Sequence, residues 1–168
     1  GKIDLQKPIQ DYLPEFRIKT PIPIHSILTH SSGLQDYSEM ALLARGREEA
    51  SSFSSKETLE LIYQQTTLSF EPTTGENYSN SNFAILAKLV ERVSNQKFTD
   101  YVREHFFTHL NINSDEIQFI NNVTASNPNN AVGYPNRNKG ESDFIPDTKS
   151  DENVLYGAGG LRANVFGL

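Results

Sequence analysis

Two apolar stripes separated by a four-residue break constrain this chain more than any other feature. Phe83, Leu86, Val90 and Val93 recur at helical spacing, which predicts the longest helix, running from Ser79 or Ser81 to Val93. After the break "SNQK", Phe98, Val102, Phe106 and Leu110 repeat the same spacing. A link that short predicts an antiparallel pair of helices.

Other segments carry weaker versions of the same signal. Ser54 and Glu57 have capping-box spacing ahead of a stripe of Leu59, Ile62 and Tyr63. Ile24, Ile27 and Leu28 share a helical face, with Gly33 as the expected stop. Residues Ser38 to Ala50 read as a second, looser helix. The first segment contains Pro8, Pro14, Pro21 and Pro23, which excludes a long helix. It is expected to wrap along a surface, anchored by Tyr12, Leu13 and Phe16. From Asn111 onward Asn, Asp, Ser and Pro dominate, so loops are expected, with a small hairpin around "RNKGE". Asn164 reads as a helix cap close to the last residue. The whole is a mainly α chain: one partial domain, helical over 1–110 and loop-rich over 111–168.

Composition excludes several functions. A net charge of −6 disfavours nucleic acid as a partner, since phosphate binding needs a basic face. No apolar run reaches membrane-spanning length. The absence of cysteine rules out a disulfide framework, a thiol nucleophile and thiolate metal sites. A hydrophobic fraction of 36% leaves little apolar material to spare.

The candidate chemistry narrows by elimination. His105 and His109 stand four apart on a predicted helix, a spacing that can chelate zinc. Phe106 follows His105 where a zincin has its Glu, and no third ligand is near, so the pair reads as a helix edge. His25 and His30 read as structural, with His30 expected to bond the turn backbone. Ser31, His30 and Asp36 are too close in sequence to face one another as a triad, and no "GxSxG" elbow is present. One Ser-x-x-Lys occurs, Ser94 to Lys97, but it falls in the break between helices. Lys-assisted serine chemistry needs both groups one turn apart on a single helix, so Ser94 reads as a capping residue.

The Tyr-x-Asn pairs remain. Tyr78-Ser79-Asn80 and Tyr134-Pro135-Asn136 both match, so spacing alone decides nothing. Only the first lies between a Pro- and Gly-containing turn, "FEPTTGEN", and a strongly periodic helix. A loop-to-helix corner of that kind can hold polar groups out toward a ligand. It is equally the place where any helix begins, and a purely structural Tyr78 packed on Phe83 stays open.

Taken together, "ILTHSSGLQDY" and "FEPTTGENYSNSNFAILAKLVERVSNQKFTDYVREHFFTHLNI" resemble the serine β-lactamase-related family. That group includes class C β-lactamases, low-molecular-weight penicillin-binding proteins, D-aminopeptidases and related esterases. "GKIDLQKPIQDYLPEF", "AVGY" and "GAGGL" extend the likeness over most of the chain, with a poorly matched stretch between Ile112 and Ala131.

The resemblance implies roles for two residues. Tyr78 would be the general acid/base that relays a proton from a nucleophilic serine to the leaving group. A free phenol titrates at about 10, so this needs cationic lysines beside it. Asn80 would donate its amide N–H to the substrate carbonyl and orient the catalytic Lys. Asn82 has no motif position and reads as a helix-start residue. The family's Ser-x-x-Lys lies upstream of the segment like "GKIDL", and its Lys-Thr-Gly or His-x-Gly strand downstream of "GAGGL".

The expected reading is therefore a helical subdomain of the α/β serine β-lactamase/DD-peptidase fold, truncated at both ends. Its parent would be a serine hydrolase acting on a β-lactam, a D-amino-acid peptide or an ester through an acyl-enzyme. The 168 residues alone would be inactive. The likeness implies no cofactor and no metal, and by analogy a place in the bacterial envelope, though cytoplasmic relatives exist. An exposed face where the sheet domain should pack is expected to favour self-association. The alternative is a non-catalytic module of the same descent that binds a peptide or a cell-wall fragment.

Overall fold

The N-terminal segment wraps along the surface as expected, with Tyr12, Leu13 and Phe16 packed inward as its anchors. Ile9, Leu13, Phe16, Ile18 and Ile22 are all buried and open the hydrophobic core. The structure is a computed structural model that describes residues 1–49, 54–113, 116–119, 131 and 157–164. Its prolines organise this segment without interrupting it. Pro8, at φ −65°, leads into a 3-10 turn, Ile9–Asp11, and Pro23, at φ −59°, caps the helix α1, Ile24–Leu28. A fixed φ of this kind is what a helix start requires. The segment doubles back so that Pro8 bridges Pro23, and Ile9 N–H donates to the carbonyl of Ile22 at 2.8 Å. Gln10 holds the bend, donating to the carbonyls of Ile18 and Thr20 and accepting from Ile22 N–H.

Ile24 and Ile27 of α1 are buried, but Leu28 faces outward. The helix stops earlier than expected, because His30 takes the left-handed conformation at φ 55°. Gly33 serves a different purpose. At φ +76° a Cβ there would stand 2.1 Å from the carbonyl oxygen of Phe70, so only glycine lets the two loops touch.

Helix α2, Tyr37–Glu49, is broken at Gly46, whose φ of 78° and ψ of 173° leave the helical region. Helix α3, Ser55–Tyr63, begins with the capping box foreseen at Ser54 and Glu57, and both reciprocal bonds are present. Helix α4, Asn80–Ser94, is the longest among the described residues and starts where expected, after Ser79. Its most buried face differs from the stripe of large apolar residues. Ser81, Asn82, Ala84, Ile85, Ala87 and Leu89 are buried, while Phe83 is exposed. Small and polar residues occupy contact positions that a count of large apolar side chains overlooks.

A left-handed Asn95 closes α4. Helix α5, Phe98–Val102, follows, its first N–H donating to Glu91 of α4, and winds on into a π turn, Arg103–Phe107. The wider turn shifts the helical phase, so that Phe106 and Leu110 emerge into solvent while Phe107 stacks on Phe119.

Where loops were expected, β1, Ile117–Phe119, pairs antiparallel with β2, Leu161–Ala163. Asn164 continues this ladder, donating from its N–H to Glu116. Residues 165–168, where a helix would have followed, and the "RNKGE" turn lie outside the described residues. Among the described residues no helix is long and apolar enough to cross a membrane. The core unites Leu13 and Phe16 of the first segment, Ile24 and Ile27 of α1, Ile62 of α3, and Ile85 and Leu89 of α4.

Candidate active site

The corner before α4 is built from groups far apart in sequence. Asp36 is the N-cap of α2, its Oδ1 accepting from the N–H of Ser38 at 2.7 Å. Its other oxygen, Oδ2, accepts from Asn80 twice, from the backbone N–H at 2.6 Å and from Nδ2 at 2.8 Å. One carboxylate therefore sits at the N-termini of two helices, where both macrodipoles favour a negative charge. Burial pushes the Asp36 carboxyl up. The hydrogen bonds from Ser38 and Asn80 outweigh that cost and hold it below the ordinary carboxylate value.

This arrangement sets the direction of Asn80. With Nδ2 turned to Asp36, its Oδ1 faces outward and accepts from the Tyr78 hydroxyl at 3.1 Å. Turning the amide over would aim Oδ1 at a carboxylate, which repels it. The phenol is accordingly held as a donor. Tyr78 is 67% exposed, so it lies open to solvent at the corner. The second hydrogen on Asn80 Nδ2 has no acceptor among the described residues.

Beneath Tyr78 lies His30, with ring centroids 4.6 Å apart, and on to Phe83 the separation is 5.2 Å. His30, and not Phe83, is the ring that meets the phenol. Its Nδ1 accepts from the N–H of Ser79 at 3.2 Å, the bond to turn backbone that the sequence had suggested. Asn82 Nδ2 also reaches Nδ1 at 3.1 Å, and Asn82 Oδ1 accepts from Ser32 Oγ at 2.6 Å. Ser81 Oγ donates to the carbonyl of Gln35 and accepts from the N–H of Tyr37, fastening α4 to the start of α2. The Ser79 hydroxyl is fully buried and has no hydrogen-bond partner among the described residues.

The other candidates disperse. Ser31 Oγ pairs with Thr29, while Asp36 and His30 turn to separate partners, so no triad forms. Ser94 ends α4 and Lys97 caps α5 across the left-handed Asn95, so the two do not share a helix. His105 lies on Tyr101, and His109 Nδ1 meets the carbonyl of Glu104. Among the described residues no three metal-ligating side chains cluster. Tyr134 and Asn136 fall outside the described residues.

Asp36, Ser32 and Asn82 are the groups that sequence reasoning missed in these roles. For Asn82 the available signal was the density of Ser and Asn at the start of α4, and for Asp36 the nearby Ser38. The "GAGGL" segment also converges here. At Gly157, with φ +97°, a Cβ would stand 2.4 Å from the carbonyl oxygen of Phe83, so this backbone lies directly on α4 one turn past Asn80.

Comparison with known proteins identifies the family and the fold. The beta-lactamase family profile matches residues 1–166. A D-aminopeptidase of Cereibacter sphaeroides is 26% identical over 94% of this chain and 29% of its own length. A putative penicillin-binding protein of Bacillus subtilis is 25% identical over 96% of this chain and 37% of its own. The chain thus spans about a third of the curated relatives it matches. An octameric penicillin-binding protein homologue from Pyrococcus abyssi superposes with a TM-score of 0.74 at 22% identity, over 99% of this chain and 38% of that one, a likeness of fold. The chain belongs to the beta-lactamase family of serine hydrolases.

Proposed function

We propose that Tyr78 and Asn80 form one side of the active site of a serine hydrolase that works through an acyl-enzyme. The observation that carries this reading is the exposed phenol bonded to a carboxamide whose direction a buried carboxylate sets. Tyr78 acts as general acid/base: as the phenolate, with cationic lysines from the rest of the protein beside it, it receives the serine proton and passes it to the leaving group. Asn80 offers its remaining amide N–H to the substrate carbonyl. The substrate is a β-lactam, a D-amino-acid peptide or amide, or an ester, all of which pass through the same acyl-transfer step.

The attacking serine and its lysine belong outside these 168 residues. Ser94 and Lys97, the one Ser-x-x-Lys in the sequence, do not share a helix. Without a nucleophile and an oxyanion hole most transition-state stabilisation is missing, so the isolated chain is inactive. Residues 1–168 act as a single partial domain.

The test uses the longer gene product, assayed on a chromogenic cephalosporin, a D-alanyl anilide and a nitrophenyl ester. Tyr78→Phe is expected to lower kcat/KM on the accepted substrate by about 10²–10⁴-fold. Near-normal turnover by Tyr78→Phe removes Tyr78 from the chemistry. Serine-dependent turnover by the 168-residue chain alone overturns the assignment of the nucleophile to another segment. Binding of a D-Ala peptide without any turnover by the longer product supports the non-catalytic module instead.

A further inference from the structure

We propose that His30 is a positioning residue for Tyr78, tying the exposed phenol to the hydrogen-bond network buried under α4. The inference rests on the reading of Tyr78 as the acid/base group and adds what holds that group in place. Among the described residues two contacts restrain the Tyr78 side chain: the hydroxyl bond to Asn80 and the ring of His30. An exposed tyrosine without a neighbouring surface samples several χ1 rotamers. Proton transfer tolerates little of that, because a displacement of about 1 Å costs roughly 10²-fold in rate.

His30 is itself prevented from turning. Ser79 N–H and Asn82 Nδ2 both point at Nδ1, at 3.2 and 3.1 Å. The backbone N–H of Ser79 can only donate, so Nδ1 is an acceptor, and the Asn82 amide accordingly turns Nδ2 to Nδ1 and Oδ1 to the Ser32 hydroxyl. Two donors aimed at one nitrogen require that nitrogen to be unprotonated, so the ring proton resides on Nε2. The opposite tautomer would set N–H against N–H. The backbone donor is the peptide N–H between Tyr78 and Asn80, so one imidazole fixes both the main chain at the corner and the ring leaving it. The carbonyl of His30 accepts from Asn77 N–H at 3.0 Å, which pins the residue before Tyr78 to the same loop. Phe83 extends the stack beyond His30.

The test is NMR on the chain labelled with 13C-tyrosine and 15N-histidine, with Tyr78 assigned through Tyr78→Phe. In the unmodified chain His30 Nδ1 is expected to show the shift of an unprotonated ring nitrogen, and the two rings to give a mutual NOE. In His30→Asn the Tyr78 ring signals are expected to move to free-tyrosine positions while those of Tyr12 and Tyr63 stay. His30→Phe keeps a ring under the phenol but removes the Nδ1 acceptor, and is expected to return the Tyr78 signals only part of the way. In the longer catalytic protein, His30→Asn is expected to lower kcat by about 10–100-fold with KM changed less than about threefold, and His30→Phe to recover only part of the loss.

A protonated Nδ1, a missing ring NOE, or unmoved Tyr78 signals in a folded His30→Asn each overturn the proposal. Should His30→Asn unfold, the tautomer and the NOE of the unmodified chain decide alone. None of these NMR outcomes depends on turnover, so they are separable from the Tyr78→Phe result that tests the acid/base role.

Discussion

Asp36 shows how one buried charge can be stabilising when every neighbour is a donor. A carboxylate removed from water is costly, yet it here receives hydrogen bonds from Ser38 and Asn80 at the start of two helices. Its pKa is consequently depressed in the folded chain. A depressed carboxyl contributes stability above the unfolded-state value of about 4, and that contribution fades as pH falls through the folded value. Asp36→Asn is therefore expected to cost about 1–3 kcal/mol at pH 7. The gap from the parent is expected to narrow as pH falls below about 4. Urea unfolding at several pH values checks this; a gap that stays constant or widens in acid shows that Asp36 is not held as a charged acceptor. Little of this was legible from Asp36 in the sequence, where its proximity to His30 and Ser31 suggested only a triad to be dismissed. The partners that matter, Asn80 and Ser38, lie 44 and 2 residues away, and only the nearer one is a local signal.

Among the elements, the turn that delivers Tyr78 carries visible strain. Thr73 occupies the left-handed region at φ 70°, where a β-branched residue is disfavoured. The turn keeps it there because Thr73 N–H donates to the carbonyl of Ser31 at 2.8 Å and Thr74 bonds back to Glu71. The backbone bond does not need the threonine side chain. Thr73→Gly is therefore expected to raise stability by about 1 kcal/mol, read as a higher urea midpoint at an unchanged slope. A lower midpoint would mean that the threonine side chain contributes more than its backbone costs. Legibility at this scale followed the range of the signal. The α3 capping box and the start of α4 were readable because their causes lie within one helical turn, Ser54 with Glu57 and Ser79 before the stripe. The pairing of β1 with β2 joins segments more than forty residues apart, and the π turn after Val102 rephases a stripe that looks continuous in sequence.

For the whole molecule, the question is whether the corner is a detachable loop or part of the folded core. The buried network reaches from Ser32 through Asn82 to His30 and the backbone of Ser79, and Asn82 lies on the same helix as the core residues Ile85 and Leu89. Both ends of the network are buried, and the loop after α1 touches the turn at Phe70 closely enough to require Gly33. Opening the corner would therefore expose Asn82 and break contacts that also hold α4 on the core. The Ser79 N–H, although it lies in a loop beside an exposed tyrosine, is expected to exchange with solvent only through global unfolding. Its exchange free energy is then equal, within about 0.5 kcal/mol, to that of Ile85 and Leu89 in the middle of α4. Native-state hydrogen exchange across a series of low urea concentrations measures this directly. If Ser79 exchanges through a smaller, urea-insensitive opening, the corner moves independently of the core. In that case the rigidity of Tyr78 must come from whatever binds against it.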